Sequence, residues 1–222
     1  MKKVLIITYY WPPAGGPGVQ RWVKFVKYLR DFGIEPVIYT PQNPTYPILD
    51  PHMADDIPED LTVVKTKIFE PYALASLFSK EKTQKISAGI IPTKKPSLLD
   101  KLLLWIRGNL FIPDARVLWV RPSVKYLSKY LSENHIDTII TTAPPHSLHL
   151  IGLRLKEQFP ALRWIADFRD PWTTIGYHSQ LRLTKRSARK HLAMERIVLQ
   201  TADTLIVTSP STQREFQAKT SR

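Results

Sequence analysis

The sequence predicts an α/β fold, a doubly wound Rossmann-like domain with a mainly parallel sheet. Three observations carry that expectation. Val4-Leu5-Ile6-Ile7 is a short unbroken apolar run, the pattern of a strand buried on both faces. Val19, Trp22, Val23, Val26 and Leu29 then recur at helical spacing, with Lys24, Lys27, Tyr28, Arg30 and Asp31 mostly between them. In the second half, strand-length and helix-length segments alternate, and strands separated by helical crossovers must run parallel.

Taken in order, Gly33 closes the first helix, and residues 36–40, Pro-Val-Ile-Tyr-Thr, supply the second strand. This β-α-β unit opens a Rossmann-like fold. A strand is expected at 61–66. Leucines 98, 99, 102, 103 and 110, with Ile106, recur at helical spacing beside Trp105. The period then predicts a helix over 123–134, a strand over 137–142 and a helix over 148–158. A strand over 163–167, a helix over 192–199 and a last strand over 204–208 complete the pattern. Residues 215–219 read as a helix barely begun when the chain ends at Arg222. That points to a fragment of a longer protein, with a short final helix as the alternative.

Composition narrows the classes. The chain has 222 residues, 43% apolar and 23% charged, enough for one Rossmann-like domain over 1–222 with an irregular, basic insertion at about 42–121. It has no cysteine, which excludes disulfide scaffolds and thiolate metal sites or nucleophiles. Thirty-two Lys and Arg against nineteen Asp and Glu leave +13, which implies an anionic partner or surface. Nineteen prolines against eight glycines predict rigid loops. The apolar run after Lys2 and Lys3 is too short for a secretion signal, so a cytoplasmic protein is expected.

Ligands of an open parallel sheet bind outside the carboxyl ends of the strands, where helix N-termini converge. Three such loops are expected on one edge. The first, Pro12-Pro13-Ala14-Gly15-Gly16-Pro17-Gly18, leads into a helix carrying Gln20 and Arg21. It resembles G-x-G-x-x-G, but Arg21 stands at the third glycine and no acidic residue ends the second strand. The dinucleotide reading fails at both points. What remains is a turn that lets backbone N–H groups approach a phosphate or sugar, or a plain structural turn. The second loop, Ala143-Pro144-Pro145-His146-Ser147, places an imidazole at a helix start, able to bond a substrate hydroxyl or to sit there as a cap. His149 follows, but no carboxylate stands at metal-ligand spacing, so no metal is expected. The third loop, Asp167-Phe168-Arg169-Asp170-Pro171-Trp172, gathers charges that must face a cleft or pair with one another.

Tyr9-Tyr10-Trp11-Pro12-Pro13-Ala14-Gly15-Gly16, the Asp167–Trp172 segment and Ala202-Asp203-Thr204-Leu205-Ile206-Val207-Thr208-Ser209 together resemble glycosyltransferase family 4. Pro113-Asp114-Ala115-Arg116 and Thr141 to Ser147 are similar to a bacterial branch of it that acts on cell-surface polysaccharides. The resemblance implies one half of a GT-B architecture: an N-terminal, acceptor-binding domain of a retaining, metal-independent enzyme. Its nucleotide-sugar would be held by a C-terminal domain absent from this chain, which would be inactive alone. It implies His146 as the catalytic residue beside the transferred sugar. Gly15 and Gly16 would approach the donor phosphates and acceptor, and Asp167, Arg169 and Asp170 would line the acceptor side. With Gln20, Arg21 and Pro145 these make the expected substrate-binding set. No cofactor is expected beyond the nucleotide-sugar donor as substrate, and the acceptor is a saccharide or lipid-linked.

A non-catalytic basic module for an anionic surface or nucleic acid is the competing reading. The charge is not arranged as a helix with interleaved aromatics, so nucleic acid is not expected as partner. Residues 80–107 hold seven Lys and Arg against two acids, and 182–196 hold six against one. Lys94, Lys95, Lys101, Trp105 and Arg107 form the expected contact with an anionic membrane surface, peripheral on its inner face. The leucine stripe there also reads as packing on the sheet.

Overall fold

The computed structural model describes residues 1–70, 98–176 and 178–220. Within them six strands form one parallel sheet: β1 (Lys2–Ile7), β2 (Ile34–Pro41), β3 (Thr62–Thr66), β4 (Thr138–Ala143), β5 (Arg163–Phe168) and β6 (Thr204–Val207). Their order is β3-β2-β1-β4-β5-β6. Leu5 stands opposite Val37 on one side and Ile139 on the other. Strand order reverses at β1, so the crevice between the carboxyl ends of β1 and β4 is the topological switch point where such sheets take ligands. The expected α/β, doubly wound Rossmann-like fold is what the chain adopts.

Pleating explains the continuous apolar strands. Leu5 and Ile7 point into a core with Val37, Tyr39, Trp119, Leu127, Ile151 and Leu155, while Ile6 and Ile38 point to the opposite face. That second face is covered by α1 (Pro17–Leu29) through Val19, Trp22, Val23 and Val26. The first is covered by α3 (Val117–Glu133), α4 (Ser147–Gln158), α5 (Lys185–Thr201) and α6 (Pro210–Thr220). Helix α2 (Leu98–Leu110) packs on the 3-10 turn His178–Leu181 instead of on the sheet. Each fully buried Leu, Ile or Val contributes about 1.5–3 kcal/mol.

Several helix bounds differ from the sequence expectation, each for a local reason. Helix α3 begins at Val117 and carries Pro122 inside it. Trp119 and Val120 are buried ahead of that proline, so packing outweighs the local break. Helix α5 begins at Lys185, where Thr184 accepts from the Ser187 amide at 3.1 Å. Its buried face is Ser187, His191, Glu195, Val198 and Leu199, polar over its first half, so an apolar period shows only from 192. Helix α6 is a full 11 residues, docked by Phe216 and by Lys219 on buried Glu195 at 2.7 Å. β3 and α2 lie inside the 42–121 stretch expected to be irregular.

Gly152 shows how tightly α4 lies on β5. A Cβ there would stand 2.5 Å from Trp164 Cε2 and 2.8 Å from Cζ2. The Trp164 indole N–H donates to Thr141 Oγ1 at 2.9 Å. Gly152→Ala is therefore expected to lower stability by about 1–3 kcal/mol in urea unfolding and to change the near-ultraviolet circular dichroism, through displacement of Trp164. Wild-type stability in that variant would show that α4 is not fixed by this contact.

Candidate functional site

The carboxyl edge is organised by Asp167, the penultimate residue of β5, which is fully buried. Its Oδ2 accepts from the Trp22 indole N–H at 2.9 Å, from Thr142 Oγ1 at 2.8 Å and from Arg21 Nη1 at 3.0 Å. Oδ1 lies 2.9 Å from the same Nη1 without an aligned hydrogen bond. One carboxylate thus joins α1, β4 and β5. A buried charge is tolerable only when donors replace water in this way. Asp167 is accordingly turned into the protein, spent on internal donors, and does not line a cleft. Arg21 is its ion-pair partner and stacks over Phe25 at 5.2 Å.

Two residues on, Arg169 clamps the second loop. Its Nε donates to the Ala143 carbonyl at 3.2 Å and its Nη2 to the Pro144 carbonyl at 2.7 Å. Its Nη1 occupies the space a side chain at residue 18 would need, which explains Gly18 at the start of α1. The three loops therefore meet on one edge, as the sequence predicts. The glycines divide in role. Gly15 donates to the Ile48 carbonyl at 3.0 Å and has Asp50 Cβ and Ile48 Cγ2 where its own Cβ would be, 3.0 Å away, so it packs against the 48–50 loop. Gly16 has φ +111° with open space around it, a backbone conformation that favours glycine ahead of α1. Gln20 is exposed on α1.

Beside these loops lies a cavity of about 220 Å³ whose lining includes Tyr10, Arg107, Asp114, Arg116, Pro145, His146 and Asp170, with Trp172, His178 and His191 beside them. Of the expected site residues, Pro145, His146 and Asp170 line it. His146 is 5% exposed and lies flat on Trp172, ring centres 4.8 Å apart, with both ring nitrogens free of hydrogen-bond partners. Trp172 in turn donates to His191 Nδ1 at 3.2 Å, and the His191 and His178 rings meet edge-on at 4.7 Å. Behind His146, the Thr141 hydroxyl accepts from Trp164 and shares a 2.8 Å hydrogen bond with His149 Nδ1. Asp114 fixes the His146 loop. Its Oδ2 accepts from the Ser147 amide at 2.9 Å and its Oδ1 from the Ser147 hydroxyl at 2.8 Å, at the positive end of α4.

A second buried network, whose pairing no spacing in the sequence signals, lies behind Arg116 in the cavity's lining. The Glu70 carboxylate accepts from Tyr9 at 2.6 Å and from the Thr45 amide at 2.7 Å, and pairs with Arg116 Nη2 at 3.2 Å. Burial raises the Tyr9 phenol pKa, with Glu70 adding to the rise. Burial works against charge on Arg116, but Tyr9, Tyr10 and Glu70 around it more than restore it. Lys101 and Trp105 lie on α2, the latter 40% exposed, whereas Arg107 lines the cavity. Lys94 and Lys95 lie outside the described residues. Among the described residues no group of His, Asp and Glu is placed to hold a metal ion, and no helix is long and apolar enough to cross a membrane.

Burial holds the imidazoles neutral. It pushes His146 far below its usual range, with His149 and His191 adding to the effect. It lowers His149 to about 3 and His191 to about 4, and lowers His178 as well. The unfolded chain titrates these groups near 6.5. Between pH 6.5 and about 4 the unfolded chain therefore binds protons that the folded one excludes, and stability falls as pH falls. Urea unfolding is expected to give a level free energy from pH 8 to 7 and a decline from pH 6.5 to 5, above the carboxylate range. A level free energy down to pH 5 would contradict neutral burial of these rings.

The chain matches no family model and no curated protein. Among solved structures it is similar to a protein assigned as a UDP-N-acetylglucosamine 2-epimerase from Listeria monocytogenes, 10% identical over 98% of this chain and 42% of that one, with a TM-score of 0.47. The spinosyn rhamnosyltransferase SpnG is 15% identical over 86% of this chain and 41% of its own, TM-score 0.39. A glycosyltransferase from Rickettsia africae ESF-5 is 12% identical over 98% of this chain and 49% of its own, TM-score 0.39. The chain spans less than half the length of each. Its fold assignment rests on its own strand order and not on these likenesses.

Proposed function

We propose that this chain is the acceptor-binding half of a two-domain, GT-B-type glycosyltransferase of the family 4 kind. The carrying observation is the cavity at the carboxyl edge, where a buried, neutral His146 keeps both ring nitrogens unpaired. A neutral imidazole offers one donor and one acceptor, the pairing a sugar hydroxyl can match. Asp170 adds a carboxylate without an ion pair among the described residues, an acceptor suited to hydroxyl donors. The cavity is below the roughly 300–1,000 Å³ of pockets for drug-sized ligands. It suits one sugar-sized group, with the rest of the substrate lying outside it.

In this reading the chain binds and orients an acceptor saccharide or lipid-linked saccharide, and a second domain holds the nucleotide-sugar. The reaction would be retaining transfer in the synthesis of a cell-surface polysaccharide or glycolipid. Such transfer develops oxocarbenium-like charge at the sugar and negative charge on the departing diphosphate. His146 would bond a sugar hydroxyl as a neutral group, since burial keeps its proton inventory fixed across physiological pH. The Arg169 guanidinium and the uncapped start of α1 lie at the cavity's edge of the sheet, where a departing anion would be favoured.

Titration calorimetry of the chain against a panel of mono- and disaccharides is expected to detect binding. Asp170→Asn should weaken it about tenfold or more, since a hydrogen bond to a charged group contributes about 1.5–3 kcal/mol. Asp170 is half-buried and unpaired, so thermal stability should hardly change. His146→Gln should weaken binding as well. A folded chain that binds no saccharide, or binds equally in both variants, would remove this reading.

A further inference from the structure

Two basic segments far apart in sequence are joined by α2. The Asn109 side chain donates to the Arg182 carbonyl at 3.2 Å and accepts from the Thr184 amide at 2.8 Å. Gly108 lies against the same segment: a Cβ there would be 2.6 Å from Leu183 Cδ2 and 2.7 Å from the Leu181 carbonyl. With Leu104 and Gly108 turned inward, α2 presents Leu102, Trp105 and Leu110 outward, 53%, 40% and 64% exposed. Next to them, Arg182, Lys185, Arg186, Arg189 and Lys190 are exposed, and Lys101 is half-buried. None of these six cations has an ion-pair partner among the described residues, and neither 101–113 nor 178–190 contains an acid. Residues 185, 186, 189 and 190 share one side of α5, where Leu192 is also half exposed.

We propose that this face, built from α2 and the start of α5, docks on an anionic lipid bilayer. Interfacial binding needs apolar side chains to enter the acyl boundary and cations to meet the headgroups, and it strengthens with both. The face supplies the two together. A nucleic acid would use the cations but leave the exposed leucines against water. The 13-residue helix lies on the surface, since it is too short to span. Arg107 points to the cavity and takes no part. The docking is independent of the saccharide reading, and either can fail alone.

The test is co-sedimentation of the chain with vesicles of 30% phosphatidylglycerol in phosphatidylcholine and with pure phosphatidylcholine, at low and high salt. Binding is expected on the anionic vesicles only, weakened by salt. Neutralising Arg182, Lys185 and Arg186 to Gln should reduce partitioning roughly fivefold per cation, about a hundredfold together. Leu102→Ser with Trp105→Ser should reduce it as well, while Lys129→Gln on α3 should not. All of these sites are at the surface, and melting curves check that the variants stay folded. Absent binding, equal binding to both vesicle types, or indifference to the three cation substitutions would overturn the proposal. So would loss with the cation variants but not the apolar ones, accompanied by competition from a short oligonucleotide, which would mark a general polyanion site.

Discussion

The carboxyl edge depends on one buried carboxylate. Asp167 is fully buried, and the donors that meet it come from α1 and from β4. Removing it would leave the Trp22 indole N–H with only the Thr142 hydroxyl, 2.9 Å away, and Arg21 without its partner. It would also loosen the strand end that carries Arg169, whose guanidinium holds the Ala143 and Pro144 carbonyls. The position of the His146 loop is therefore set two steps away from it, first by Asp167 and then by Arg169. Asp114 completes the arrangement from the other side by capping α4 through Ser147.

The cavity that results is polar without being strongly charged. Arg116 is balanced by Glu70, and Asp114 is balanced by the start of α4, so neither presents an uncompensated charge. The imidazoles around Trp172 are neutral because burial leaves no alternative. Asp170 and Arg107, one group of each sign, complete the charged lining. A cluster of six cations without an ion pair among the described residues lies elsewhere, on the outer side of α2 and the start of α5. In the proposed arrangement one domain takes a sugar-sized group in its cavity and meets an anionic surface with its exterior.

Much of this was legible in the sequence, because parallel strands buried on both faces write themselves as apolar runs. The strand ends and the convergence of their three loops followed directly. The side chains that hold the loops were harder to read. Asp167, Arg169 and Asp170 sit within four residues, yet they face three different ways, and only tertiary contacts decide which is paired and which is open. Glu70 and Arg116 form a network with Tyr9 across 107 positions of chain, from Tyr9 to Arg116, and no local spacing signals it. The trace that was available is a charged residue inside an apolar stretch, as in Ala115-Arg116-Val117-Leu118-Trp119. His191 was hidden differently. Helix α5 buries Ser187, His191 and Glu195 and exposes Leu192, so over its first half the residues that pack are polar and only Val198 and Leu199 restore an apolar face.

The most direct measurement is a crystal structure of the chain soaked with the saccharide that raises its melting temperature most. The account predicts one sugar ring in the cavity, with hydroxyl oxygens within hydrogen-bond distance of a His146 ring nitrogen and of the Asp170 carboxylate. Trp172 should remain stacked on His146, and the Asp167 contacts should be unchanged. A sugar bound on another surface, with the cavity unaltered and His146 still unpartnered, would contradict it.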